Sequence, residues 1–393
     1  KSINSDLNIH SFKSGTKVFD WSIPDEWNIY DAYIEHKSGE RFAEFSKNNL
    51  HILGYSVPCN INLPLAELLP HIYTQKNQPD VIPYVTSYYN NIWGFCMSDD
   101  DKKSMPDGEY NVVIDAKRGP GSLEIADLVI EGVSSKEIFF STYVCHPSMA
   151  NNELSGPVLS TALIQYIKLK YKNPKYTYRF VFAPETIGAI AYLSNNIESL
   201  QDKVICGFNL SCVGDERAYS HVESRTGNTL ADSALQSALI GLDNVTTYSF
   251  LERGSDERQY CSPGVDLPFC GFCRTKYGEY PEYHTSADNF DVVTADGLNG
   301  SFNVMKTIID AFEVNLFPKI NVKCEPQLGK RGLRPNISQK GYMGDITTRS
   351  NFIAYADGEH SLFDIANLIN KNLKFVIEEV VILTKHRLIE DKE

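Results

Sequence analysis

No stretch of this 393-residue chain reaches the 18 or more consecutive apolar residues that a membrane helix needs, which excludes a helical membrane span. No signal-peptide pattern opens it either, so the cytoplasm is the expected compartment. Positive charge is short: 37 Lys and Arg face 50 Asp and Glu, a net charge of −13. That balance excludes a chain-wide nucleic-acid footprint and leaves room only for a local basic patch or a cationic ligand. Cysteine is scarce and odd in number, nine in all, which argues against a disulfide framework. There is no HExxH, no GxSxG elbow, and no Rossmann or P-loop glycine pattern. The one CxxC, Cys270 to Cys273, lies in a strand-like run without a second pair and reads as two buried thiols.

What is present suits a folded protein of two or three domains: 42% hydrophobic, 22% charged and 11% aromatic residues. YDAYIEHKSGERFAEFSKN reads as strand-turn-strand, turning at Lys37–Glu40. From His51 to about Leu128, short β-branched and aromatic runs between Pro, Gly and Asp clusters predict an antiparallel accessory sheet. After Ser134 the pattern alternates. KEIFFSTYVC, YTYRFVFAP, VICGFNLSCVG and VDLPFCGFCRT read as strands. VLSTALIQYIKLK, TIGAIAYLSNN, TLADSALQSALIG and GLNGSFNVMKTIIDAFEVNLF read as helices. Alternation of this kind predicts an α/β layer with a largely parallel sheet, whose chemistry gathers beyond the carboxyl ends of the strands. After a Pro-, Gly- and Lys-rich junction, SLFDIANLI and LKFVIEEVVILTKHRLIE predict two further helices resembling a winged-helix module. The second is not strongly basic, so dimerisation or protein docking is the expected use rather than DNA binding.

Two clusters carry the candidate chemistry. His146 closes an apolar strand in STYVCHPSMANNELSG, with Asn152 and Glu153 across a polar loop, and Glu185 ends the next strand in FAPETIG. The second cluster combines ERGSDERQYCSPG, holding Asp256, Glu257 and Arg258, with KYGEYPEYHTSADNFD, holding Glu279, Glu282, Tyr283, His284 and Asp288. Two histidines at strand ends with carboxylates between them suit Zn²⁺, which takes imidazole and carboxylate ligands and keeps one position for water. Cys145 is not expected to pair with His146, because neighbouring side chains on a strand face opposite ways.

CHPSMANNELSGP, APETIG, GFNLSCVGD, GSDERQY and PEYHTSADNFD together resemble the M28 superfamily of zinc aminopeptidases over nearly the whole chain. They resemble more closely a bacterial aminopeptidase-like group with a β-rich insert and a C-terminal winged-helix-like domain. The resemblance implies a three-layer α/β core with a mixed sheet, formed by residues 1–48 and 126–318. It also implies a β-rich insert at 49–125 and the winged-helix-like domain at 319–393. In the family, His146 and His284 match metal ligands and Glu185 the general base, while three carboxylate ligands fall on Asn152, Thr186 and Ser211. One zinc held by His146, Glu153 and His284 is therefore the economical expectation. Glu185, Asp256 and Glu279 are the candidate proton carriers, and Asn152, Arg258, Arg274, Glu282 and Tyr283 the candidate substrate contacts. The implied activity is hydrolysis of a peptide or amide bond in a small peptide or amino-acid derivative. The competing reading is a degenerate member that binds a sugar, amino acid or peptide. A homo-oligomer or protein partner would dock through the C-terminal domain.

Overall fold

The computed structural model describes residues 3–334 and 344–390. Its centre is an eight-stranded mixed sheet. In spatial order the strands are Asn8–Lys13, Ser122–Ile130, Tyr176–Ala183, Ser134–Tyr143, Val204–Leu210, Phe269–Cys273, Tyr219–Val222 and Val245–Tyr248. The four central strands run parallel. Antiparallel pairs enter on both sides, through Ser122–Ile130 and Tyr219–Val222, so the sheet is mixed rather than largely parallel.

Alternation along Ser134–Tyr143 divides the core. Ile138 and Phe140 face the helices Ser155–Lys170, Leu230–Leu239 and Ala295–Glu313. Phe139 faces the other way, toward Ile187–Lys203. The result is three layers, helix on sheet on helix. Local signals set the helix starts. Thr229 and Asp232 form a reciprocal capping box, and Thr294 accepts the Gly297 N–H. Gly156 is required by contact: a Cβ there would lie 2.1 Å from Thr142 Oγ1 and 2.6 Å from the Leu210 carbonyl. Its absence lets the start of Ser155–Lys170 press onto two central strands, which places Asn151–Glu153 over the strand ends.

The accessory sheet is antiparallel, as its composition predicts, with strands in the order Arg41–Phe42, Glu26–His36, Glu109–Gly119 and Cys59–Pro64. It begins earlier than residue 49. Glu26–His36 pairs along its length with Glu109–Gly119, and Ala32 and Ile34 join Val112 and Ile114 in a separate apolar core. Residues 26–48 thus belong with the insert, whereas Val18 and Ile23 pack into the main core.

The C-terminal segment is helical: Gly344–Tyr355, Leu362–Ile369 and Leu373–Lys385. Ser361 and Asp364 cap the second helix reciprocally, and Asn370 ends it in the left-handed conformation. Leu362, Phe363, Leu373 and Val376 are buried in the same apolar cluster as Leu235 and Phe312 of the main domain. Phe363 meets Phe312 edge-on at 5.1 Å. Asn367 and Asn372 donate to the carbonyls of Ser233 and Ile240. Among the described residues no helix is long and apolar enough to cross a membrane.

Candidate functional site

Beyond the carboxyl ends of the central strands, the two sequence clusters meet. His146 is buried, with Nδ1 3.4 Å from Glu153 Oε2 and Nε2 3.8 Å from Glu185 Oε2. The His284 ring centre lies 5.1 Å from that of His146. Tyr283 stacks on His284 at 3.9 Å, and Tyr143 flanks His146 at 5.3 Å. A cavity of about 250 Å³ opens beside them, lined by His146, Ser148, Met149, Glu153, Asp288 and Phe290 among others.

The polar loop Asn151–Glu153 is a wide helical turn in which the Ser155 N–H returns to the Ala150 carbonyl. Asp288 fixes it. Its two oxygens accept the N–H groups of Asn151 at 2.6 Å and Asn152 at 2.9 Å, and the Tyr280 hydroxyl adds a third bond at 3.0 Å. One buried carboxylate thereby joins HPSMANNELSG to HTSADNFD. Burial raises the Asp288 carboxyl above its ordinary pKa, against the pull of those N–H groups.

Glu185 is aimed by an uncommon turn. Thr186 sits at φ 66°, ψ −78°, and the Ile187 N–H bonds the Glu185 carbonyl at 2.8 Å, a γ-turn of the strained kind. A β-branched residue at positive φ is an outlier that its surroundings must hold. Here they do: the Thr186 N–H donates to Asp256 Oδ1 at 2.8 Å and its hydroxyl meets the Arg258 guanidinium. Burial raises the Glu185 carboxyl, while His146 and Arg258 oppose the shift. Asp256 is fully buried and held well above the usual carboxylate range by burial and then by Glu185. Among the described residues its Oδ2 has no hydrogen-bond partner.

His284 also sits at positive φ, 55°. Burial and then the nearby His146 push its imidazole down to about 3, so it is neutral at physiological pH, and its buried Nε2 has no partner among the described residues. The accessory domain supplies one wall. The Tyr84 N–H donates to the His284 carbonyl at 2.8 Å, Ser286 N–H to the Ile82 carbonyl at 2.8 Å, and Gln78 to the Pro281 carbonyl at 2.9 Å. Tyr84 then stands edge-on to both imidazoles, 5.3 Å from His146 and 5.1 Å from His284.

Cys145 departs from expectation. Its Sγ lies 3.2 Å from His146 Nδ1 and accepts the Glu185 N–H at 3.3 Å. The strand ends at Tyr143, two residues earlier, so strand alternation no longer separates the two side chains. Burial, followed by the charge of Glu153, pushes the thiol well up.

Other expected contacts lie elsewhere. Arg274 donates to the carbonyls of Ala218 and Gly297 and covers Tyr219 at 3.9 Å, so its guanidinium joins two segments of the main domain. Glu282 is held bidentate by Arg217 at 2.7 and 2.8 Å, and Glu279 is exposed. Glu257 is consumed by four donors: the N–H groups of Gly254 and Ser255, the Tyr277 hydroxyl and Asn209. Tyr84, Tyr143 and Cys145 are the site residues that sequence reasoning did not select. Asp288 was named with the second cluster but given no role there.

Among the described residues, two groups of His, Cys, Asp and Glu bring donor atoms within 4.8 Å of one another. In the group of His221, Asp232 and Cys270, the Asp232 carboxylate already accepts from His221, from the Ser224 N–H and hydroxyl, and from the Thr229 N–H and hydroxyl. That makes it a capping hub. The other group is Cys145, His146 and Glu153. A two-ion centre does not fit this pocket. Asn152 Oδ1 accepts the Tyr143 hydroxyl at 2.8 Å, Thr186 is bound to Arg258 and Asp256, and the Ser211 hydroxyl lies 3.6 Å from the Cys273 thiol. A single ion fits the donors that remain, because the donor atoms of Cys145, His146 and Glu153 lie within 4.8 Å of one another.

A family profile described as a domain of unknown function (DUF4910) matches residues 1–315, and a winged helix-turn-helix profile matches 316–391. The chain belongs to the DUF4910 family. A Clostridium acetobutylicum relative, named for polysaccharide biosynthesis and an aminopeptidase-like domain, is 42% identical over 364 residues, covering 92% of this chain and 83% of that protein. A crystal structure from C. acetobutylicum, described as a candidate peptidase, superposes with a TM-score of 0.89 at 38% identity, over 99% of this chain and 89% of that one. The zinc aminopeptidase of Bacillus subtilis superposes with a TM-score of 0.55 at 14% identity, over 78% of this chain and 85% of that one. This member of DUF4910 thus has the aminopeptidase-like fold of the M28 superfamily, followed by a winged helix.

Proposed function

We propose that this chain is an aminopeptidase-fold protein that has given up the two-metal peptidase centre and binds a sugar- or amino-acid-derived ligand of polysaccharide assembly. The observation that carries the reading is Asn152. At a position where the peptidases hold two metals with one carboxylate, this chain has a neutral amide whose oxygen is engaged by Tyr143. The polysaccharide name of the C. acetobutylicum relative supports the ligand class. So do the aromatic rings beside the imidazoles, with Tyr84 edge-on to both and Tyr283 stacked on His284. A zinc ion, when bound, supplies Lewis-acid polarisation of a ligand oxygen. The protein's own groups do the rest. Glu185, raised by burial, holds or accepts a proton beside His146, and Arg258 positions its turn.

Calorimetry with amino sugars, nucleotide-linked sugars, amino acids and short peptides tests the reading, paired with a zinc-supplemented peptidase assay. Binding of a saccharide or amino-acid ligand without peptide turnover is expected. Sustained hydrolysis of aminoacyl peptides with two zinc ions per chain overturns it.

A further inference from the structure

We propose that Cys145, His146 and Glu153 form a thiolate-containing site for one Zn²⁺ ion, bound through Nδ1 of His146. The site rests on the reading that the two-ion centre has been given up. It differs from the family arrangement by recruiting a cysteine that the peptidase pattern does not use.

Distances support it first. Tetrahedral zinc with Zn–S of about 2.3 Å and Zn–N or Zn–O of about 2.0 to 2.1 Å separates its S and N donors by about 3.6 Å and its N and O donors by about 3.4 Å. In this structure Cys145 Sγ lies 3.2 Å, and Glu153 Oε2 3.4 Å, from the same His146 nitrogen. The three donor atoms fall within 4.8 Å of one another. They are nearly placed before any ion arrives.

The surroundings support it second. With Nδ1 on the metal, Nε2 is left on the side of Glu185, whose Oε2 lies 3.8 Å away, beyond direct hydrogen-bond distance. A ligating histidine usually directs its other ring nitrogen toward a carboxylate, and Glu185 is the acid on that side. Glu153 is held by the His146 N–H at 2.7 Å, so the donor triad is stiff. The fourth position is left for a ligand or water.

The test is cobalt titration of the chelator-stripped full chain under reducing, oxygen-free conditions, followed by zinc competition. One equivalent should bind, with a near-ultraviolet thiolate-to-cobalt charge-transfer band. Cys145→Ser should remove that band and weaken zinc at least about tenfold, while circular dichroism stays unchanged. Glu153→Gln should weaken zinc and keep the band, and His284→Ala should keep both. A cobalt complex without the band overturns the thiolate site, as does a band that survives Cys145→Ser or a chain that takes no metal. Two tightly bound equivalents with the Cys145-dependent band would overturn the loss of the two-ion centre instead, so the two failures are distinguishable.

Discussion

Replacing Asp288 should release the loop that carries Asn151, Asn152 and Glu153. The side chain is fully buried and ties three donors: the Asn151 N–H at 2.6 Å, the Asn152 N–H at 2.9 Å and the Tyr280 hydroxyl at 3.0 Å. In Asp288→Ala the two backbone donors stay buried with no acceptor, since Asn151 and Asn152 are essentially inaccessible. Each stranded donor costs roughly 1–3 kcal/mol. The hydroxyl can turn to the Cys212 sulfur, 3.6 Å away, so it adds little. Against this stands the relief of removing a buried charge, whose burial already raises the Asp288 carboxyl. The net expectation is a loss of about 3 kcal/mol for Asp288→Ala. Asp288→Asn keeps one accepting oxygen but turns an amide N–H toward a backbone N–H, so about half that loss is expected. Urea unfolding gives the magnitude, and hydrogen exchange of peptides spanning 146–156 gives the location. If the alanine variant falls within about 0.5 kcal/mol of the parent and the loop exchanges no faster, Asp288 is not the tie described above.

Three further outcomes follow from the geometry. The folded pKa of His284 is pushed down to about 3, below its unfolded value, so between these two pH values the unfolded chain binds more protons and acidification destabilises the fold. That slope reaches at most about 1.4 kcal/mol per pH unit. Glu185, raised by burial, acts in the opposite sense, because its contribution weakens as pH rises above the ordinary carboxylate range. In metal-free protein His284→Gln should flatten the acid limb of urea midpoints; an unchanged limb rejects the assignment. Phe363→Ala should cost about 3–5 kcal/mol and expose the segment near residue 316 to limited proteolysis, because Phe363 is fully buried against Phe312. Proteolysis matching the parent would show that the winged helix is held by other contacts. The outward face of Leu373–Lys385 carries Lys374, Glu378, Val381 and Lys385, too little positive charge for a phosphate-binding helix. Duplex DNA should therefore show no salt-dependent retention by the full chain, and a steep salt slope would refute that.

What could be read from the sequence was whatever repeats along it. The apolar runs after Ser134 are the four parallel strands, and three of the helices that follow begin where Thr229, Thr294 and Ser361 can accept a backbone N–H, whereas Ser155–Lys170 and Ile187–Lys203 start without such a cap. The winged-helix segment was legible for the same reason. The start of the insert was not, because nothing local marks that Glu26–His36 pairs with Glu109–Gly119 rather than with the main sheet.

The site divides along the same line. His146 and Glu185 lie just past recognisable strands, whereas His284 stands in a turn-rich segment well beyond Phe269–Cys273 rather than at a strand end, and the structure brings the three together. Tyr84 and Asp288 act through contacts that join distant segments: the Tyr84 N–H reaches the carbonyl of His284, and the Asp288 carboxylate reaches the N–H groups of Asn151 and Asn152. No periodicity connects such pairs, so only the folded chain reveals them. Cys145 failed for a different reason. The alternation rule that separated it from His146 is sound within a strand, but the backbone leaves the strand after Tyr143. The error lay in extending a periodic rule by two residues past the point where the hydrogen-bond ladder ends. Those two residues turn a thiol into a neighbour of His146 Nδ1, and with Glu153 they give this pocket a donor set that the peptidase pattern lacks.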